Sequence, residues 1–193
     1  MGIDMRARAF IGLAFATLLG VASCGEVAGT PVASMRSPNV DNSYGAPRVQ
    51  NPIDPGRFLK APCAVLTEAQ STGLGWEKEG TPHELDSDAP SCDWDSPSFA
   101  NFDFGWLTSN GGGLADTYRA FRNDTGYFDP VTIAGYPGVF HFSDDLRKEG
   151  FCNLVVGIRD ELTFRVGSLG AGPTACDTLK EMARLAITTM KAG

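Results

Sequence analysis

The chain has 193 residues, 42% hydrophobic and 20% charged, which is the make-up of an ordinary globular protein and excludes a disordered or many-spanning one. Its 16 basic and 23 acidic residues give a formal charge of −7, and this excess of acid argues against nucleic acid as a partner, because affinity for a polyanion comes largely from Lys and Arg on phosphates. The first 23 residues carry Arg6, Arg8 and Asp4; the 170 residues after them hold a formal charge of −8 and suffice for one domain and a tail.

Met5-Arg6-Ala7-Arg8 is a short positive region, Ala9 to Val21 a 13-residue apolar run, and Val21-Ala22-Ser23 a set of aliphatic and small residues leading into Cys24. Thirteen residues of helix span about 20 Å, short of the roughly 30 Å hydrocarbon core, so the run reads as a signal peptide over residues 1–23 and not as a permanent transmembrane helix. The segment Val21-Ala22-Ser23-Cys24 resembles the lipobox of bacterial lipoproteins, which implies cleavage before Cys24 and a lipid on that cysteine. The expected partner there is a membrane, reached through the lipid.

Five cysteines are an odd number, and lipidation of Cys24 accounts for the odd one. Cys63, Cys92, Cys152 and Cys176 then form an even set in an oxidising compartment, where two disulfides are the default. A zinc site would want closely spaced pairs, and no two of these four lie within a few residues of each other.

Residues 24–57 contain Pro31, Pro38, Pro47, Pro52 and Pro55 and show no apolar periodicity. Such a stretch buries too little apolar surface to offset its ordering entropy, so it reads as a disordered tether with a typical reach of about 30 Å. The folded domain is then expected over residues 58–193.

Within it, Thr67 with Gln70 three residues later predicts a capped helix start, stopped by Gly73 and Gly75. Cys92-Asp93-Trp94 and Phe99 to Leu107 predict strands; in the second, Phe102, Phe104 and Trp106 alternate with Asn101, Asp103 and Gly105. After the Asn110-Gly111-Gly112-Gly113 break, Leu114, Tyr118 and Phe121 share a helix face. Val131–Ile133, Val139–Phe142, Phe151–Ile158 and Leu162–Val166 predict four more strands, the first two separated by Gly135-Tyr136-Pro137 and the last three joined by links short enough for antiparallel hairpins. Asp177 predicts the cap of a last helix, from Thr178 to about Lys191, with Leu179, Met182, Ala186 and Met190 on one face. The expected fold is α+β: a mainly antiparallel sheet with helices packed on one face, in a single disulfide-bonded domain. Placing Cys92 and Cys152 on strands, and Cys63 and Cys176 before the terminal helices, favours the pairs Cys92–Cys152 and Cys63–Cys176 among the three possible.

With these landmarks placed, the chain resembles domain-of-unknown-function family 3558, small actinobacterial lipoproteins. The residues that carry the resemblance are Pro62-Cys63 before Leu66-Thr67, Cys92-Asp93-Trp94, Gly135-Tyr136-Pro137, Cys152 in a strand and Cys176 at the last helix. The resemblance implies a secreted, membrane-tethered domain and supplies no catalytic residue.

Three motifs that could carry chemistry read better as ordinary structure. Gly170-Ala171-Gly172-Pro173-Thr174-Ala175 spells a dinucleotide fingerprint, but no second parallel strand with its acidic residue follows, so it reads as a loop. Glu84, Asp86 and Asp88 resemble part of a calcium loop, yet Ser91 and Pro97 stand where Gly and Glu are needed. His83 and His141 are the only histidines; no Gly-x-Ser-x-Gly elbow is present, and His141 reads as a surface residue pointing away from Phe140. No cofactor, metal site or enzymatic activity is expected. The expected role is a lipid-anchored module on the outer face of the cytoplasmic membrane that binds an envelope protein, a wall component or a small apolar ligand; a hydrolase with an unorthodox site and a structural accessory subunit are the alternatives.

Overall fold

The computed structural model describes residues 43–77, 79–83, 89–98 and 100–193. The expected signal peptide, Cys24 and the acidic residues Glu84, Asp86 and Asp88 lie outside the described residues.

Seven strands form one antiparallel sheet: β1 (Thr81–His83), β2 (Ser91–Asp95), β3 (Asn101–Trp106), β4 (Tyr127–Ile133), β5 (Tyr136–Phe142), β6 (Cys152–Arg159) and β7 (Leu162–Leu169). Their spatial order is β1-β2-β3-β7-β6-β5-β4, so the last strand of the chain inserts between β3 and β6. The α+β class read from the sequence is the observed one. The period of two in β3 sends Phe102, Phe104 and Trp106 into the main core, where Leu154, Val156, Ile158, Phe164 and Val166 join them from β6 and β7. Phe104 stacks on Phe164 at 5.1 Å and meets Trp106 edge-on at 5.0 Å.

Helix α3 (Ala175–Ala192) covers this face with Leu179, Met182, Ala183, Ala186, Ile187 and Met190, all buried. It begins three residues before the expected start. Asp177 does not cap it; Asp177 lies in the first turn and pairs with Lys180 at 2.9 Å. Helix α1 (Glu68–Gly73) has the expected capping box between Thr67 and Gln70, and Gln70 Oε1 accepts from Thr189 of α3 at 3.0 Å, which ties the two helices together. Helix α2 (Leu114–Phe121) departs from the expectation of helices on one face. Its Leu114 and Tyr118 pack with Val139 and Val155, whose side chains leave the sheet on the side opposite the main core. Both faces are therefore covered over β5 and β6. Beyond them the second face carries the polar side chains of β2, β3 and β7.

The disulfides are Cys63–Cys92 and Cys152–Cys176, with Cα–Cα separations of 5.1 and 5.4 Å. This corrects the expected Cys92–Cys152 and Cys63–Cys176 pairs. Strand order gives the reason: β3 and β7 lie between β2 and β6, and three steps of about 4.8 Å put Cys92 and Cys152 well beyond disulfide reach. The turn Pro62–Val65 instead brings Cys63 to β2, and the early start of α3 brings Cys176 to β6.

The expected disordered tether is corrected where it reaches the described residues. Val49 and Ile53 are buried in the main core. The Val49 amide donates to Asp160 Oδ1 at 2.9 Å, the Ile53 amide to the Ile158 carbonyl at 3.0 Å, and Tyr136 Oη to the Asn51 carbonyl at 2.8 Å. Residues 46–53 thus form a strap along the domain, because two apolar residues among the prolines find core sites that the periodicity of the segment itself does not announce. Gly135-Tyr136-Pro137 is not a plain linker either: Ala134 and Gly135 make the turn, at φ 50° and 89°, and Tyr136 already opens β5. Positive φ at both residues is the geometry of a two-residue hairpin turn matched to the strand twist.

Candidate functional site

A polar row runs across the second face of the sheet. Strand register pairs Thr81 with Asp93, Asp93 with Asp103, Asp103 with Gly167, and Gly167 with Asn153. Continuing the β5–β6 register by one residue sets Asn153 beside His141, which pairs in turn with Phe128 of β4. At the β1 end, His83 Nε2 lies 2.8 Å from Asp93 Oδ2. In the middle, Arg165 Nη2 binds Asp103 Oδ2. Asp93 and Asp103 are cross-strand neighbours of like charge, an arrangement that disfavours ionisation. Burial raises the Asp103 carboxyl above the usual range, with Arg165 opposing and Asp93 adding to the shift. Burial also raises Asp93, with His83 opposing it.

Where α2 covers this row, the sheet and the helix leave a cavity of about 600 Å³. Leu107 and Val155 give it apolar wall, and Thr117, His141, Asn153 and Arg165 give it polar wall; Asp116, Arg119, Phe121 and Asp124 line it from α2 and the residues after it. Its volume lies in the ordinary range of small-molecule sites.

His141 is 8% exposed, not the surface residue expected, because α2 packs over β5 and Phe121 stacks on its ring at 4.3 Å. Its ring does leave the sheet on the side away from Phe140, as expected. Asn153, 7% exposed, places Nδ2 3.0 Å from His141 Nε2 and 3.3 Å from the His141 carbonyl oxygen. The carbonyl can only accept, so the Asn153 atom facing it is the amino nitrogen. That nitrogen carries hydrogens toward Nε2, which therefore accepts, and the ring proton sits on Nδ1. Burial, supported by the positive charge of Arg165 and opposed by Asp124, lowers the His141 pKa to about 4. At neutral pH the residue is a neutral donor through Nδ1.

The hydroxyls of Ser109, Thr117 and Ser143 line the same cavity, but the ring nitrogen that accepts is already held by Asn153. Ser143 Oγ donates to Asp144 Oδ2 at 3.4 Å. Among the described residues no group of three or more His, Cys, Asp or Glu side chains is placed to hold a metal ion, and no helix is long and apolar enough to cross a membrane. The glycines at 170 and 172 form the loop between β7 and α3, and β7 is antiparallel to both neighbours, so the parallel framework of a dinucleotide fold is not present there. Of the residues weighed for chemistry in the sequence, the four domain cysteines are structural and His141 enters the cavity. Asn153 and Arg165 were not singled out. A polar residue within the apolar run Phe151–Ile158 was the available signal for Asn153.

Fold and site together define a disulfide-bonded α+β domain with a polar-floored cavity beside its sheet. The chain belongs to the family described as "Protein of unknown function (DUF3558)", whose model matches residues 19–189. No curated protein and no solved structure matches it.

Proposed function

We propose that this protein is a binding module of the cell envelope, held by a lipid on Cys24 at the outer face of the cytoplasmic membrane, that takes a small ligand into the cavity between α2 and the sheet. The observation that carries the binding reading is the cavity itself: about 600 Å³, with the buried polar pair His141 and Asn153 in its wall. Buried polar groups facing a cavity are costly unless something meets them, and they are what fixes the orientation of a ligand in an otherwise apolar site. The anchor reading rests on the lipobox-like Val21–Cys24, which falls inside the family match, and on the two disulfides, which use every cysteine except Cys24.

The binding reading is non-catalytic. A general base is most effective with a pKa near the working pH, and a histidine lowered to about 4 whose acceptor nitrogen is occupied is poorly suited to that task. Native mass spectrometry of the full chain extracted from its membrane tests the reading. A retained small molecule that disappears in Ala120→Trp, a plug at the helix side of the cavity, is the expected result; equal retention by the plugged variant would overturn it. Turnover of wall or ester substrates abolished by His141→Ala would replace it with the hydrolase alternative. For the anchor, Cys24→Ala is expected to move the protein into the soluble fraction, and wild-type fractionation would reject it.

A further inference from the structure

The cavity carries four charged side chains, two of each sign. Asp116 and Arg119 satisfy each other at 2.9 Å, and Asp116 also accepts the Gly112 amide at 2.8 Å. The other two are incompletely used. Arg165 is 41% exposed and turns Nη2 to Asp103, while its Nε and Nη1 bind nothing among the described residues. The Asp124 carboxylate, just past α2, has no hydrogen bond or ion pair among them. Both lie within electrostatic reach of the His141 ring, on which they act with opposite sign. Two neutral groups accompany them: His141 Nδ1–H, a donor with no partner among the described residues, and Asn153 Oδ1, an acceptor with none among them.

We propose that the ligand is a small zwitterion of the amino-acid type with an apolar side group, its carboxylate on Arg165 and His141 Nδ1–H, its ammonium on Asp124 and Asn153 Oδ1. This rests on the binding reading above and names its ligand class. The charge pattern selects it. A simple carboxylate would meet Arg165 but bring its charge to a cavity that also holds Asp116 and Asp124; a simple amine would meet Asp124 and face Arg119 and Arg165. A molecule that is neutral overall with separated charges opposes neither, and guanidinium with carboxylate is the charge-assisted pair that most favours a fixed geometry. Leu107 and Val155 supply apolar wall for the side group.

The test is calorimetric titration of the detergent-solubilised full chain with three probes of one shape: L-phenylalanine, phenethylamine, which lacks the carboxylate, and 3-phenylpropionate, which lacks the ammonium. Phenylalanine is expected to bind at least tenfold more tightly than either. Arg165→Gln should erase its advantage over the amine, and Asp124→Asn its advantage over the acid; Asp124 is exposed, so that variant reads the site even where Arg165→Gln folds poorly. Equal binding of phenylalanine and either truncated probe by the wild-type protein overturns the proposal. So does a molecule retained in native mass spectrometry, and displaced by Ala120→Trp, that is not zwitterionic, although the binding reading then stands. If no probe binds and nothing is retained, both fall.

Discussion

The carboxylate of Asp103 occupies the space over Gly167 where a side chain on that residue would begin. The two are register partners on β3 and β7, and the Arg165 guanidinium closes the same space from two residues away. Gly167 is therefore fixed by the ion pair lying over it and not by its backbone, which is ordinary strand. Gly167→Ala is expected to cost about 1 to 3 kcal/mol through overpacking. Asp103→Ala should relieve most of that cost when the two are combined, because it vacates the collision and leaves behind a guanidinium that already reaches water. Urea denaturation of the two single variants and the double variant checks it; additive costs would mean that Asp103 is not the obstacle.

Each disulfide closes a loop of moderate length, with sequence separations of 29 for Cys63–Cys92 and 24 for Cys152–Cys176. The chain-entropy model gives about 3 to 4 kcal/mol for loops of this size. Replacing either pair by Ser should lower stability by about that much, and non-reducing peptide mapping should return these two links. The Cys152–Cys176 bond holds α3 against β6, so its loss should expose the main core; the Cys63–Cys92 bond holds the turn before α1, so its loss should act mainly on residues 56–74.

How much of this was legible in the sequence follows from the range of the interactions involved. Alternation in Phe102, Phe104 and Trp106, the Thr67–Gln70 box and the apolar stripe of α3 are local patterns, and each produces the element it predicts. Strand order is not local. Nothing near Leu162 states that β7 enters between β3 and β6, and without that fact the distance separating Cys92 from Cys152 cannot be known. His141 reads as a surface residue for the same reason, since its burial depends on α2 crossing to the second face. The strap was missed because Val49 and Ile53 carry no periodicity of their own, and β1 because its three residues include Pro82, which suits only an edge.

His141 should make stability fall on acidification in a defined window. Its folded pKa, lowered to about 4, lies below the ordinary value of 6.5, so between these two values the unfolded chain binds more protons and stability rises with pH. As pH falls from 6.5 toward 4 the loss should approach, and not exceed, about 1.4 kcal/mol per pH unit. Asp93 and Asp103 act the other way, because carboxyls whose pKa is raised on folding favour the folded state as they protonate. Comparison with His141→Gln isolates the histidine: the variant keeps an acceptor for Asn153 and does not titrate, so its stability curve should be flatter from pH 6.5 to 4. Parallel curves would show that the ring protonates as freely when folded as when unfolded.

Asp160 joins the strap to the β6–β7 turn with both carboxylate oxygens, Oδ1 on the Val49 amide and Oδ2 on Arg48 at 3.0 Å. The Arg48 pair is largely exposed and contributes little. The bond to the Val49 amide orders backbone that would otherwise leave Val49 and Ile53 uncovered. Asp160→Ala is expected to cost about 1 kcal/mol globally, and to speed hydrogen exchange at the Val49 and Ile53 amides well beyond that at Leu154 or Val166. Uniform acceleration across the sheet would mean that the strap and the sheet open as one unit.

Thr163, on the α2 side of β7, is fully buried, and its hydroxyl has no hydrogen-bond partner among the described residues. Its carbonyl accepts from the Leu107 amide at 3.1 Å, so the backbone is satisfied and only the side chain is not. Burying an unpaired hydroxyl costs more than burying a methyl of similar size, so Thr163→Val should stabilise the domain by about 1 kcal/mol. Thr163→Ser keeps the hydroxyl and removes the methyl, and should destabilise by about the same amount. The two substitutions therefore shift the unfolding midpoint in opposite directions if the hydroxyl is unpaired. A loss of stability in both would show that the hydroxyl has a partner, with an enclosed water as the simplest candidate, and would mark this position as a second buried polar point on the face that carries the cavity.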